Sequence, residues 1–236
     1  MRMRIVVRYF YLVLIGALVA CTPAPETVVS ETAQQIVLLD PANGLDESWE
    51  QQGFGRGQTT YEQSRSSIGT TIKATGNYSA SVLYRVFEGI DFSCSRLQWD
   101  WFVENLQATS NLRQKGRDDV GASILVSFGD PGAFRDIPVP ILKYVWANET
   151  HSKNDIIIGP YQTRYVRTII VRTGVMAENG LVRETRDLLR DYQAAFGKPP
   201  DDKIYAIGLF TDNDDTREPI TAHYGPVVLI CDNGSS

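Results

Sequence analysis

The chain has 236 residues, of which 43% are hydrophobic and 22% charged, a composition typical of a globular protein and not of a disordered one. The formal net charge of −5 argues against nucleic acid as the main partner, because nucleic-acid-binding surfaces carry positive charge. Three cysteines are too few for a disulfide scaffold, and two histidines leave little room for a histidine-rich metal site.

Residues 1–20 have the pattern of a secretory signal peptide. Three arginines precede an uncharged run from Tyr9 to Ala20, which is shorter than the roughly 20 apolar residues that a membrane-spanning helix needs. Because the run ends in small residues followed by Cys21, it resembles a bacterial lipoprotein signal, in which a lipid is attached to the cysteine and cleavage occurs just before it. An ordinary secretory signal with an incidental cysteine is the alternative.

The signal resemblance predicts a protein that is held in the cell envelope by a lipid on Cys21. Thr22, and not Asp, follows the cysteine. By analogy with Gram-negative lipoproteins, this favours an outer-membrane lipoprotein, which would face the periplasm. Residues 21–35 are small and polar and include prolines, so we interpret them as a flexible tether. A single domain over residues 36–232 is expected to follow.

Most of the domain alternates apolar and polar residues with the period of a β-strand. The Gly-rich stretch 53–57 is interpreted as a flexible turn. The strand candidates lie at 36–39, 68–73, 81–86, 97–103, 122–128, 141–146, 165–171, 203–210 and 224–230. About nine or ten such strands, separated by turn-rich segments, predict a mainly β fold, an antiparallel, jelly-roll-like β-sandwich.

One segment, over about 180–196, has helical spacing instead. Its bulky apolar and aromatic positions are Leu181, Leu188, Leu189, Tyr192 and Phe196. Charged residues fill the opposite side, which is typical of an amphipathic helix. Gly197 and the two prolines that follow it end the helix. We expect this helix to cover a face or an edge of a sheet.

Two cysteines lie within the domain. If Cys21 carries a lipid, Cys94 and Cys231 remain in an oxidising compartment, where disulfides persist. A disulfide between them is one prediction, and two separate buried thiols are the other, because a Cα distance is not readable from sequence. The two histidines, His151 and His223, are expected to be surface or packing residues and not catalytic bases.

Six short motifs occur along the domain. They are Leu97-Gln-Trp-Asp-Trp101, Asp118-Asp119, Tyr144-Val-Trp146, residues 186–200, residues 212–216 and His223-Tyr-Gly225. Their order and spacing resemble an uncharacterised bacterial family of exported proteins, a domain of unknown function, over roughly Leu38 to Ile230. The resemblance implies a sandwich or jelly-roll fold like that of carbohydrate-binding modules, and it implies no established activity or substrate.

The chain departs from the family pattern at two places. The family's acidic loop usually reads Asp-Thr-Asp-Asn-Thr, whereas here it is Asp-Asn-Asp-Asp-Thr over residues 212–216. After the Tyr-Gly pair the family often has Asp, and this chain has Pro226. If that Asp has a role in the family, this chain has lost it.

Aromatic residues are the first candidates for a ligand site. Sugars stack on flat aromatic rings, whose faces attract the sugar's C–H groups. The candidates for such a glycan platform are Trp99, Trp101, Tyr144, Trp146 and Tyr61. Core packing is the alternative for the tryptophan pair, since it shares a strand face with Leu97 and Val103. Tyr61, in a polar stretch, is the better candidate for an exposed ring.

Aspartates in two loops are the second candidates. They are Asp118, Asp119, Asp212, Asp214 and Asp215. Clustered carboxylates are typical ligands of Ca²⁺, although the glycine and glutamate of an EF-hand are missing here. Two facing carboxylates also do the acid–base work of glycosidases. Alternatively, the aspartates in these loops cap turns and have no other role. No cofactor is established from the sequence, and a structural Ca²⁺ is the one candidate.

Motifs of serine hydrolases, zinc peptidases, P-loop proteins and dinucleotide-binding proteins do not occur in the sequence. These observations favour a lipid-anchored envelope protein that binds a glycan or another envelope polymer over an enzyme. One alternative is a hydrolase that acts on polysaccharides with Asp118, Asp119 or Asp214 as acid and base. The other is a structural or assembly lipoprotein with a protein partner.

Overall fold

A computed structural model of the protein describes residues 34–55, 57–132, 138–161, 163–176 and 180–232. The predicted signal peptide, the lipidation candidate Cys21 and all but the end of the predicted tether lie outside the described residues. In the described part of the chain, two β-sheets pack face to face and one α-helix accompanies them. No helix within these ranges is long and apolar enough to cross a membrane.

The first sheet is antiparallel throughout. Its strands are β1 (Gln35–Leu39), β3 (Thr60–Ser66), β4 (Gly69–Gly76), β6 (Arg96–Val103), β11 (Val182–Asp187) and β13 (Ile220–Ile230). They follow the order β11-β6-β13-β4-β3, and β1 pairs with the remaining part of β13. A short 3₁₀ helix, Pro41–Asn43, follows β1.

The second sheet has seven strands. They are β2 (Trp49–Gly53), β5 (Ala80–Ile90), β7 (Ala122–Phe128), β8 (Ile141–Ala147), β9 (Ile156–Ile157), β10 (Val166–Thr173) and β12 (Ile204–Asp212). Their order is β2-β5-β12-β7-β8-β10-β9. Strands β8 and β10 run parallel, an exception to the predicted antiparallel fold. A parallel pair needs a long crossover, and residues 148–165 supply it.

The core lies between the two sheets, where the alternation of each strand places its larger side chains. Leu97, Trp99 and Trp101 of β6 meet Tyr144 and Trp146 of β8, and all five are fully buried. The ring centres of Trp99 and Tyr144 are 5.3 Å apart. The aromatic motifs of β6 and β8 therefore form the contact between the sheets.

The helix is shorter than the predicted segment of about 180–196. Helix α1 spans Leu188–Phe196, and the residues before it form strand β11 at the edge of the first sheet. The backbone of β11 pairs with β6, and this tertiary pairing outweighs the helical spacing of the side chains. The Asp187 side chain accepts a hydrogen bond from the backbone N–H of Arg190, which starts the helix there. Gly197, with a φ of 77°, ends it as predicted.

The Asp191 carboxylate of helix α1 is bonded to both sheets, by an ion pair to β11 of the first sheet and by a hydrogen bond to β8 of the second. Two nitrogens of Arg186, Nη2 and Nε, donate to Asp191 Oδ1 and Oδ2 at 2.6 and 2.7 Å. The hydroxyl of Tyr144 donates to the same carboxylate at 3.0 Å. The motif residues of the helix and of β8 are thus parts of one buried contact.

Cys94 and Cys231 are joined by a disulfide with an S–S distance of 2.01 Å. Cys94 precedes β6 and Cys231 follows β13, two strands that are neighbours in the first sheet. The bond therefore holds these adjacent strand ends together.

Candidate functional site

A pocket of about 430 Å³ opens on the outer face of the second sheet, the face turned away from the first sheet. Its floor is formed by side chains that alternate with the core residues of the same strands. These floor residues are Ala80, Leu125, Lys143, Thr168 and Phe210. We call this cavity the Lys143 pocket. Its volume lies within the range of small-molecule sites in proteins.

Segments from four parts of the chain form the walls of the Lys143 pocket. Phe54 follows β2, and Asp118 precedes β7. Tyr161 belongs to the crossover between β8 and β10, so the parallel strand pair places this ring at the site. Asp214 and Asp215 come from the turn between β12 and β13.

Lys143 is the central polar side chain of the floor. Strand pairing sets it beside Leu125 of β7 and Thr168 of β10. Its Nζ atom lies 4.4 Å from the centre of the Phe210 ring, within the range of a cation–π contact. Burial lowers the pKa of Lys143, and the nearby carboxylates, first that of Asp212, offset part of this effect.

Asp118 has one carboxylate oxygen that is enclosed by protein. Its Oδ1 atom has no hydrogen-bond partner among the described residues. Burial is the main cause that raises the pKa of Asp118 from 3.8 to about 6. The positive charge of Lys143 opposes the rise, and the negative charge of Asp215 adds to it. Asp118 therefore lacks full compensation for its charge within the protein.

Asp119 and Asp212 hold the two acidic loops together. Asp119 Oδ2 accepts hydrogen bonds from the N–H and the hydroxyl of Thr216 at 2.7 and 2.6 Å, and its Oδ1 accepts from the N–H of Asp215 at 3.3 Å. Asp212 accepts a hydrogen bond from the backbone N–H of Val120. The turn-capping interpretation thus describes Asp119, whose bonds fix the turn that carries the pocket carboxylates.

Three of the five predicted metal-ligand candidates lie close together. Carboxylate oxygens of Asp119, Asp212 and Asp214 lie within 4.8 Å of one another, so the set could hold a cation. Asp119 and Asp212 already accept backbone hydrogen bonds, and the ammonium of Lys143 lies close enough to act on both. Burial raises the pKa of Asp212 well above its ordinary value.

The predicted glycan platform on the aromatic motifs is wrong. Trp99, Trp101, Tyr144 and Trp146 are all 0% exposed, because the faces of β6 and β8 that carry them are turned toward each other between the sheets. No ligand can stack on rings in this position. The alternative interpretation, core packing, describes all four.

Tyr61 is also excluded as a stacking ring. Its hydroxyl lies 2.7 Å from the backbone oxygen of Ser81 and 3.0 Å from that of Leu209, with which it hydrogen-bonds. Tyr61 lies on β3 of the first sheet, whereas both carbonyls belong to the second. The side chain therefore reaches across the sandwich and joins the two sheets at the edge of the core.

Exposed aromatic rings do line the pocket, at positions that the sequence did not indicate. Phe54 is 44% exposed and Tyr161 is 50% exposed. The Phe54 ring packs edge-on against Phe210, with centres 5.8 Å apart. A Cβ atom at Gly55 would lie 2.6 Å from Asp214 Oδ2, so glycine allows the loop to approach the acidic turn. Phe54, from the stretch interpreted as a flexible turn, thus forms part of a pocket wall.

The histidines have packing roles, in agreement with the expectation. The Nε2 atom of His151 accepts a hydrogen bond from the backbone N–H of Leu112 at 3.1 Å. His223 is buried between Thr71 and Glu104, to which its Nδ1 and Nε2 atoms hydrogen-bond at 3.1 and 2.8 Å. Neither ring lines the Lys143 pocket.

Comparison with solved structures finds folds of the same class. The family 11 carbohydrate-binding module of the cellulosomal cellulase Lic26A-Cel5E of Clostridium thermocellum is similar with a TM-score of 0.46 and 8% identity, over 85% of this chain and 96% of that one. The xyloglucanase domain of NopAA from Sinorhizobium fredii is similar with a TM-score of 0.43 and 9% identity, over 77% and 92%. At these identities and scores, neither assigns a ligand or an activity.

Comparison by sequence identifies the family. No curated protein matches the chain. A family model described as "Protein of unknown function (DUF3047)" matches residues 47–228, which include every strand of the second sheet and all four walls of the pocket. Because this match spans most of the sequence, the chain belongs to the DUF3047 family.

Proposed function

We propose that the protein binds a glycan in the Lys143 pocket. One observation carries the proposal: exposed aromatic rings and carboxylates face the same cavity. Phe54 and Tyr161 offer ring faces on which the C–H groups of a sugar can stack. Asp118, Asp214 and Asp215 offer hydrogen-bond acceptors for sugar hydroxyls. The combination of stacking faces and fixed polar groups suits a ligand that is apolar on its faces and polar around its edge.

The size and polarity of the pocket support a short oligosaccharide. A volume of about 430 Å³ is small for a long polymer chain and sufficient for a few sugar units. Sugar hydroxyls both donate and accept hydrogen bonds. The pocket supplies donors from Lys143 and Thr168 and acceptors from the aspartates, so both needs are met.

Calorimetric titration of the purified protein with oligosaccharides chosen from a glycan array tests the proposal. We expect binding by the wild-type protein and a loss of roughly tenfold or more in affinity for Phe54→Ala and Tyr161→Ala, because each removes a stacking face. Val175→Ala is the matched control, since Val175 is exposed and does not line the pocket. Absence of binding to any oligosaccharide, or equal affinities for all variants, would contradict the proposal.

A second candidate function is hydrolysis of a polysaccharide. The observation that favours it is the pKa of Asp118, which burial raises to about 6, because a glycosidase acid must hold its proton near neutral pH. Release of new reducing ends from a bound polysaccharide would identify this activity. Asp118→Asn should then abolish the release while the glycan still binds. If the glycan binds and no reducing ends are released, the protein binds the glycan without hydrolysing it.

A cation is a second ligand class for the acidic loops. We propose Asp119, Asp212 and Asp214 as the residues that would hold a structural Ca²⁺, on the ground that their oxygens lie close together. Asp119 would then have to share oxygens that now accept bonds from the turn. Calcium titration with a measurement of Tm tests this. A rise in Tm supports the site, and the absence of both heat and a Tm change removes it.

Lipid anchoring is proposed from the sequence pattern alone. Cys21 would carry the lipid, and the protein would be an outer-membrane lipoprotein that faces the periplasm. More than one acyl chain is needed for stable attachment. Labelling with a radioactive fatty acid should mark the wild-type protein and leave Cys21→Ser unlabelled. A Cys21→Ser protein that remains labelled, or a wild-type protein that is never labelled, would contradict the anchor.

A further inference from the structure

We infer that the glycan taken by the Lys143 pocket carries a free amine, as in an oligosaccharide of de-N-acetylated amino sugars. This inference rests on the proposed glycan binding and names the ligand class. Its first support is the charge of the cavity. Among the described lining residues, one ammonium group, that of Lys143, faces the four carboxylates of Asp118, Asp212, Asp214 and Asp215.

Lys143, the one cation among the lining residues that the structure describes, lies on the floor of the pocket and not at its mouth. Lys143 packs on Phe210, and the carboxylates of Asp212 and Asp118 are the largest sources of its electrostatic stabilisation. Its charge is therefore directed toward carboxylates of the protein itself. An anionic sugar, such as a uronic acid, would meet the remaining carboxylates before it reached this cation.

The negative charges converge near Tyr161 at the mouth. Burial is the largest cause that raises the pKa of Tyr161. The negative charges of Asp118, Asp215 and Asp214 raise this pKa further. Lys115, which does not line the pocket, lies against the same ring, with its Nζ atom 5.4 Å from the ring centre. A ligand ammonium placed between the ring and the carboxylates would gain from both, because ring faces and carboxylates each attract cations.

Asp118 supplies a specific acceptor for the amine. Its Oδ1 atom is enclosed and has no hydrogen-bond partner within the described residues. Because Asp118 is only half-buried and lines the pocket, a ligand N–H can donate to the open side of its carboxylate and offset part of the cost of the unpartnered oxygen. A charged amine restores more than a hydroxyl does, and an N-acetyl group would remove that charge and add a methyl group beside the carboxylates.

Calorimetric titrations with a glucosamine tetrasaccharide and its fully N-acetylated counterpart test the inference, at a pH where the ligand amine is charged. We expect the amine form to bind roughly ten- to hundredfold more tightly, and salt to weaken its binding more than that of the N-acetylated form. Asp118→Asn and Asp215→Asn should each reduce this preference by about tenfold. Glu62→Gln, an equal charge change on the exposed part of the first sheet, should leave it unchanged.

The outcomes separate the two proposals. Equal affinity for both tetrasaccharides, or tighter binding of the N-acetylated form, overturns the amine inference and leaves glycan binding intact. Binding only of neutral oligosaccharides that lack nitrogen has the same meaning. If no oligosaccharide of any kind binds, both proposals fail. Two aspartate variants are used because a loss of folding in one, monitored by Tm, would leave the other to decide.

Discussion

The ammonium nitrogen of Lys143 lies 4.4 Å from the centre of the Phe210 ring, on the outer face of the second sheet. Both side chains point away from the sandwich core, to a face that would be solvated if the sheet were bare. The loop before β7 and the crossover before β10 cover this face, and Leu112 and Tyr161 are among the residues that enclose the pocket. The Lys143 ammonium therefore lies beneath carboxylates in a partly buried site. Burial shifts the pKa values of these groups, so their ionisation changes the free energy of unfolding.

The raised pKa of Asp118 predicts a pH-dependent effect of Asp118→Asn. The folded-state pKa is about 6 against an ordinary value of 3.8, so the wild-type protein loses stability as the pH rises from about 4 through 6. The asparagine variant lacks this loss. Relative to that of the wild type, its unfolding free energy should therefore be about 1 kcal/mol larger at pH 7 than at pH 4, a value that allows for solvent screening of the partly exposed side chain.

Urea unfolding at the two pH values measures this difference. A relative stability that is the same at pH 4 and pH 7 would mean that Asp118 ionises in the folded protein as it does in the unfolded chain.

Asp119→Ala should destabilise the protein because it removes the acceptor for three hydrogen bonds from the turn at Asp215 and Thr216. Charge-assisted bonds of this kind lead us to expect a loss of about 2–4 kcal/mol in unfolding free energy. The control is Asp202→Ala, since Asp202 is exposed and bonds to the backbone of its own neighbour, Lys203. A loss no larger than that of the control would show that Asp119 does not hold the turn.

Two arginines of β11 should differ sharply when each is replaced by alanine. The side chains of Arg186 and Asp191 are 20% and 9% exposed, so Arg186→Ala leaves a buried carboxylate without its cation and should cost about 3 kcal/mol or more. Arg183 pairs with Asp100 but is itself 64% exposed, and Arg183→Ala should cost less than about 1 kcal/mol. Denaturant unfolding of both variants tests the contrast, and equal losses would contradict the buried role of the Arg186 pair.

The disulfide predicts sensitivity to reductant. Cys94 and Cys231 are separated by 137 positions in the chain, and opening so long a loop should lower the unfolding free energy by roughly 3–5 kcal/mol. The Tm should fall when a reductant is added to the wild-type protein. The double variant Cys94→Ala/Cys231→Ala should begin at the lower Tm and not respond to reductant. A wild-type Tm that is independent of reductant would contradict the bond.

The fold class was predictable because strand alternation reports burial. Trp99 and Trp101 share a face with Leu97 and Val103, and this pattern already favoured the core over a ligand platform. The limit of the pattern appears in β7, where every residue is buried because the second sheet is covered on both faces. Alternation cannot show which face of such a strand is the inner one. The helix prediction extended too far because Leu181 happens to fit the helical spacing of residues that follow β11.

The pocket could be predicted only in part. The acidic loops were found from their composition, and the strand pairing of β7 and β12 then brings them together. Phe54 and Tyr161 come from distant segments that carry no motif, so only the folded chain makes them neighbours. Lys143 did leave a signal, a single charge within the apolar strand Ile141–Ala147. A lysine at such a position needs polar or charged partners, and here the cluster of aspartates provides them.

A crystal structure of the protein with a bound oligosaccharide tests the central claim, the identity of the binding site, most directly. The ligand is the one selected by titration, at a concentration that saturates the protein in solution. We predict a sugar ring between Phe54 and Tyr161, with a polar hydrogen donor of the ligand within hydrogen-bond distance of the Asp118 carboxylate. A sugar bound at another surface while the Lys143 pocket contains only solvent would contradict the account.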